Sequence, residues 1–219
     1  MDKIRKGYKS VSNVYDKYIT SGIIFFKIGA KIIWSISAKD YSIKLLENIT
    51  NEFTGKILDI LVGTGILTYE KYKEINNSKI ICMDYSSEML EIAKSRFEIN
   101  NLNNIECKQG DIGKIPYENE TFDIVISMNG FHVFPDKEKA FIEIKRVLKS
   151  DGMFIGCFYV KGITKRTDWF IKNLYVKSGT FTPPFYTKDE IEEKLKKEYK
   201  DIELWNIGSI ICFRCKNKM

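Results

Sequence analysis

Three carboxylates stand at the ends of three successive strand-like runs: Asp59 in Ile57-Leu58-Asp59-Ile60, Asp84 after Ile80-Ile81-Cys82-Met83, and Asp111 after Ile105 to Gly110. A carboxylate accepts on two oxygens, so such a set could hold the hydroxyls and amino groups of one polar ligand. Between the first two lies Gly63-Thr64-Gly65, where an apolar run meets two residues free to take positive φ and restarts as a helix. A ligand can approach the backbone there, and the unpaired N–H groups of the following helix would favour a carboxylate or phosphate. The sole histidine, His132, follows Asn129-Gly130-Phe131 at the end of another apolar run. A neutral imidazole at that place could remove a proton from a substrate, although a packing histidine fits the same pattern. Tyr8, Val11, Tyr15 and Tyr18 fall on one helical stripe. The hydroxyls of Tyr8, Tyr15 and Tyr18 offer alternative contacts or bases, or tips on packing rings.

Each acid also has a purely structural use. Asp59 could brace the turn, Asp84 could cap the next helix, and Asp111 could sit in a tight turn. Three acids at successive strand ends are harder to dismiss, because in an open α/β sheet those ends surround one crevice. Other glycine loops fit less well. A dinucleotide fingerprint needs a glycine where Thr68 stands, and a phosphate-cradling loop needs a lysine where Ile66 stands.

The elements that must position these residues alternate. Strands are expected at 56–60, 78–83, 105–109, 122–129 and 153–159, with helices at 40–49, 66–76, from Tyr85 onward and 135–148. Ile43, Leu45, Leu46 and Ile49 form the expected inward side of the first of these helices. Ser86 is placed as an N-cap ahead of Met89, Ile92, Ala93 and Phe97, and Thr187 with Glu190 forms a capping box. Strand-helix alternation builds a parallel sheet covered on both faces. Two final strands, 201–206 and 209–216, join near Gly208 as an antiparallel hairpin.

At 219 residues, 44% hydrophobic and 29% charged, the chain suits one soluble α/β domain without linker or repeat. Its net charge of +6 is spread along the sequence, which argues against a nucleic-acid partner. Five cysteines without a short-spaced framework point to a reducing compartment, and the start of the chain shows no secretion signal, so a cytoplasmic location is expected. Cys212 and Cys215 would face opposite sides of a strand, and with one histidine no metal site is expected. Gly22 to Ile36 is strongly apolar but carries Lys27 and Lys31, which excludes a membrane span. It could pack on the core, cover an apolar pocket or make a peripheral membrane contact.

Leu58, Asp59, Gly63, Thr64 and Gly65 resemble the motif hhD-h-G-x-G-x-G of the class I S-adenosylmethionine-dependent methyltransferases, with Leu61 where that family has its first glycine. Asp84 with Ser86 and Met89-Leu90, Gly110-Asp111, Phe122 to Asn129 and Leu148 to Gly152 are similar to its later motifs, so the resemblance covers about residues 40–160. Around Asp84 to Asp111 it is similar to the quinone-methylating branch. The resemblance implies a Rossmann-like, seven-stranded, mostly parallel sheet with helices on both faces, an antiparallel C-terminal hairpin and an N-terminal helical lid. One domain is expected, with a lid at 1–50, a cofactor-binding core at 51–160, a substrate cap at 161–186 and a closing helix and hairpin at 187–219. It also implies S-adenosyl-L-methionine as cofactor, held by Asp59, Leu61, Gly63, Thr64, Gly65, Asp84, Tyr85, Asp111, Ile112 and Asn129. In that scheme Asp59 organises the loop or the ammonium group, Asp84 takes the ribose hydroxyls, Asp111 takes the adenine amino group and Ile112 packs on the ring. The acceptor is expected to be a small, partly apolar or aromatic molecule enclosed by the 22–36 segment and by Trp169, Phe170, Phe185 and Tyr186. The alternatives are a nicotinamide-dependent oxidoreductase and a cofactor-binding module without turnover.

Overall fold

A computed structural model describes residues 38–218, so the expectations for Tyr8, Tyr15, Tyr18 and the Gly22 to Ile36 segment lie outside the described residues. Seven strands form one sheet: β1 (Lys56–Ile60), β2 (Lys79–Asp84), β3 (Ile105–Gln109), β4 (Phe122–Met128), β5 (Leu148–Tyr159), β6 (Tyr199–Ile207) and β7 (Ile210–Asn217). Their spatial order is β3-β2-β1-β4-β5-β7-β6. The first five run parallel, whereas β7 runs antiparallel to both β5 and β6, as the expected hairpin requires.

Successive residues of β1, β2 and β4 feed opposite faces, which is why these central runs are largely apolar, whereas the edge strands β3 and β6 carry charged residues. Leu58, Ile60, Ile81, Met83, Val125, Phe154, Phe158 and Phe213 pack on one face beneath α4 (Lys137–Val147) and α7 (Lys188–Glu198). Ile57, Ile80, Cys82, Ile124, Ile126, Ile155 and Cys212 pack on the other beneath α1 (Ala38–Leu46) and α3 (Ser87–Ile99). Cys212 and Cys215 belong to opposite faces, and all five cysteines are free thiols. Among the described residues no helix is long and apolar enough to cross a membrane.

Two local expectations are corrected. The helix expected over 66–76 is reduced to α2 (Tyr69–Tyr72), because Gly65 is left-handed (φ 71°) and Thr68 turns its hydroxyl onto Asp59 instead of continuing a helical turn. A four-residue helix has almost no dipole, so the anion-binding helix end imagined there is absent. In α1 the inward side is Tyr41, Leu45 and Leu46, with Ile49 buried just beyond its end, while Ile43 is 61% exposed, two residues and therefore more than half a turn away from Tyr41. The remaining helical caps form as expected. Ser86 accepts from the Met89 N–H at 3.2 Å, and Thr187 and Glu190 bond reciprocally.

After β5 the chain folds back as α5 (Lys165–Phe170), a π-helical turn (Ile171–Tyr175) and α6 (Val176–Ser178). This cap returns to the sheet where the Thr182 N–H donates to the His132 carbonyl at 2.9 Å.

Candidate cofactor and acceptor site

Strand order reverses between β1 and β4, each of which leads to a different side, and the loops leaving their carboxyl ends open a crevice. In the loop after β1, Leu61, Gly63 and Gly65 all take left-handed φ, at 57°, 59° and 71°. Gly65 must also be glycine for space, because a Cβ there would lie 2.7 Å from Cζ of Phe97. Leu61 accepts the unfavourable conformation because its side chain packs on the core cluster and against Gly130, where an added Cβ would stand 2.6 Å away.

Asp84 is the hub of the site. Its Oδ2 accepts from the Gly63 N–H at 2.8 Å, its Oδ1 from the Ser86 N–H at 2.9 Å, and its carbonyl from the Gly110 N–H at 3.0 Å. One residue therefore ties together the loops after β1, β2 and β3. Each carboxylate oxygen keeps a second lone pair for a ligand. Burial pushes the carboxyl up, against the pull of those N–H donors.

Asp59 faces the α1/α3 side and is buried, with Oδ2 accepting from the Tyr72 hydroxyl at 2.7 Å and the Thr68 hydroxyl at 3.0 Å. Desolvation pushes it up to about 7, and its Oδ1 is buried without a hydrogen-bond partner among the described residues. Thr68 and Tyr72, one helical turn apart, were not recognised from sequence as partners of Asp59, though their spacing carries that signal. Arg96 was also missed. Its guanidinium donates to the Thr64 carbonyl and lies over the Tyr69 ring at 5.5 Å, bracing the glycine turn from α3.

Asp111 is half-buried and accepts from the Gly113 N–H at 2.7 Å, so the tight-turn role is present. Ile112 is 2% exposed and belongs to the core beneath the loop. Tyr85 is half-buried beside Asp84, and its carbonyl accepts from Gln109 at 3.0 Å. Asn129, left-handed at φ 57°, donates its amide to the Tyr41 hydroxyl and accepts from the Cys157 thiol at 3.6 Å. The ten residues expected to bind a cofactor thus gather along the carboxyl ends of β1, β2, β3 and β4.

His132 lies further along the loop after β4, buried, with its ring stacked on Phe181 at 3.8 Å. Its Nδ1 accepts from the Tyr159 N–H at 3.4 Å. Burial and the nearby Lys137 charge hold its pKa down at about 3, so the ring is neutral. Lys137, which drew no attention in the sequence, is itself buried and donates to the carbonyls of Phe134 at 2.9 Å and Thr182 at 2.8 Å. Phe181, Phe185, Tyr159 and Tyr175 complete a ring cluster beside it. Trp169 is not part of this wall, being 59% exposed, because the buried side of the cap is taken by Thr167 and Ile171.

A glycine turn held on an acid at the next strand's end, within this strand order, defines a class I methyltransferase fold. Residues 57–152 match the family described as a methyltransferase domain, which together with the relatives below supports a class I S-adenosylmethionine-dependent methyltransferase. It is 32% identical over 155 residues to the demethylmenaquinone methyltransferase of Lactococcus lactis, an alignment covering 70% of this chain and 57% of that protein. The chain therefore spans little more than half the length of that relative. Against the demethylmenaquinone methyltransferase of Staphylococcus haemolyticus it is 28% identical over the whole chain and 82% of that protein. In three dimensions it is similar to phosphoethanolamine N-methyltransferase 2 of Haemonchus contortus in complex with S-adenosyl-L-methionine. The TM-score is 0.68 at 18% identity, over 82% of this chain and 53% of that one.

Proposed function

We propose that the protein binds S-adenosyl-L-methionine and transfers its methyl group to a small aromatic acceptor of the hydroquinone type. The observation that carries the cofactor assignment is the Asp84 hub, a buried carboxylate with free lone pairs placed 2.8 Å from the N–H of Gly63. Asp84 would take the ribose hydroxyls, the Gly63 to Gly65 turn would let the backbone lie along the methionine portion, and Asp111 with Tyr85 would border the adenine. The buried, unpartnered Oδ1 of Asp59 fits an amino group brought close, directly or through a water. When bound, the sulfonium supplies an already activated methyl group for an in-line displacement, so the protein's task is alignment and exclusion of water.

On the acceptor side, the rings of Phe181, Phe185 and Tyr159 with the neutral His132 form an apolar wall suited to an aromatic molecule. The names of the bacterial relatives supply the quinone class. His132 serves in this scheme chiefly as part of the wall, since an imidazole held near 3 is a weak base. Calorimetric titration with S-adenosylmethionine and S-adenosylhomocysteine tests the assignment. Saturable binding of both is expected, and the absence of heat and of any thermal shift at millimolar ligand would overturn it. Turnover confined to polar acceptors would overturn the hydroquinone class alone.

A further inference from the structure

We infer that the outer face of the cap, over residues 161–178, is a docking surface for an anionic lipid bilayer. This stretch carries five cations, Lys161, Lys165, Arg166, Lys172 and Lys177, against the single acid Asp168. That acid is turned inward, accepting from the Tyr159 hydroxyl at 2.6 Å and the Gly162 N–H at 3.0 Å. Lys161 lies 4.0 Å from Glu190, but Lys165, Arg166, Lys172 and Lys177 have no carboxylate within ion-pair distance among the described residues. The surface potential of the cap is therefore strongly positive, in a chain whose whole excess is +6.

Large apolar side chains stand among those charges. Trp169 is 59% exposed, Leu174 51% and Ile163 40%, while Thr167 and Ile171 hold the opposite side of the helix in the core. Ile163 precedes α5, Trp169 lies on it, and Leu174 lies on the π-helical turn that continues it. An indole and aliphatic side chains ringed by lysine and arginine match the layered chemistry of a bilayer surface, with apolar groups entering the headgroup boundary and cations meeting anionic phosphates. A nucleic-acid backbone would answer the charges and leave Leu174 and Ile163 without a partner. The cap also holds the aromatic wall, so docking there would place the proposed acceptor entrance beside lipid.

The test is co-sedimentation of the full chain with phosphatidylcholine vesicles, with and without phosphatidylglycerol. Partition into the anionic vesicles alone, weakened by salt, is expected. Joint substitution Lys165→Glu, Arg166→Glu and Lys172→Glu should lower partition by about a hundredfold or more, each cation contributing roughly a fivefold factor. Trp169→Ala should lower it and abolish the blue shift of tryptophan emission on binding, whereas Lys94→Glu on α3 should leave both unchanged. Should the triple variant fail to fold, Trp169→Ala with Lys172→Glu alone carries the comparison. The inference is overturned by wild-type protein that stays in the supernatant, or by partition equal in wild type and cap variants. It is also overturned by a concentration-dependent dimer that Trp169→Ala abolishes without vesicles, or by tighter binding to RNA than to vesicles. Partition requires neither turnover nor an acceptor, so it fails or holds apart from methyl transfer.

Discussion

Asp84 closes the site at the level of a single side chain, because two backbone N–H groups and a ligand compete for its four lone pairs. Asp84→Ala is expected to weaken S-adenosylhomocysteine binding by about 1.5–3 kcal/mol, the scale for hydrogen bonds to a charged group. Calorimetry gives the affinity, and the melting temperature separates the loosened Gly63 turn from the lost ligand contact. Wild-type affinity would mean that the ribose is held elsewhere. Asp59 and His132 set opposing pH dependences. The folded state keeps a proton on Asp59 up to about 7 that the unfolded chain releases near 3.8, so this stabilisation is complete below the lower value and lost as pH rises to the upper. His132 is held at about 3 against an ordinary value of 6.5, so its contribution is complete above 6.5 and lost as pH falls towards 3. Each acts with a slope of about 1.4 kcal/mol per pH unit, and in the wild type they largely offset one another. Urea unfolding at about pH 4.5 and 7.5 should show Asp59→Asn losing stability on acidification relative to wild type, and His132→Phe gaining it. Parallel behaviour of all three proteins would refute both assignments. Leu61→Gly relieves about 1–2 kcal/mol of left-handed strain but exposes a contact worth about 1.5–3 kcal/mol, for a net loss near 1 kcal/mol. Gly130→Ala clashes with Leu61 alone, so the double variant should lose less than the sum of the singles in denaturant melts.

Among the elements, the cap depends on few polar links. Thr182 is held at both backbone atoms, by the His132 carbonyl and by Lys137 Nζ at 2.8 Å. Lys137→Met removes the second link and leaves the buried Phe134 carbonyl without its donor, at a cost of about 1–3 kcal/mol, along with the half-buried Thr182 carbonyl. Amide exchange over residues 179–186 should quicken by about tenfold or more, while S-adenosylhomocysteine affinity is retained and KM for the acceptor rises. Unchanged exchange would show that ring packing alone seats the cap. The short α2 makes a related point at the opposite side of the sheet. Its four residues exist to deliver Tyr72 to Asp59, and the rest of the expected helix gives way to the glycine turn.

Taken as one molecule, the domain brings the loops of β1, β2, β3 and β4 together, so binding at the proposed site should stabilise the whole fold. At a hundredfold excess over Kd the gain is about 2.7 kcal/mol, or a Tm increase of roughly 5–10 °C for a chain of this size. Scanning fluorimetry should show that shift with S-adenosylhomocysteine and none with NADH, and the reverse order would restore the nicotinamide alternative. The amino-acid sequence by itself determined the strand-helix alternation, the closing hairpin and the two serine and threonine caps, while the set of ten residues at the strand ends came from the family resemblance. The elements and caps follow from periodicity, φ preference and capping chemistry, which act within a few residues of the chain. Tertiary structure alone decided that Asp84 ties three loops together, that Asp59 is spent on Thr68 and Tyr72, that His132 is neutral, that Lys137 pins the cap and that Trp169 faces outward. Those outcomes depend on burial and on partners far along the chain, such as Lys137 and Thr182, 45 residues apart. Desolvation and hydrogen-bond competition are settled by which surfaces the sheet brings together, and no local spacing encodes them.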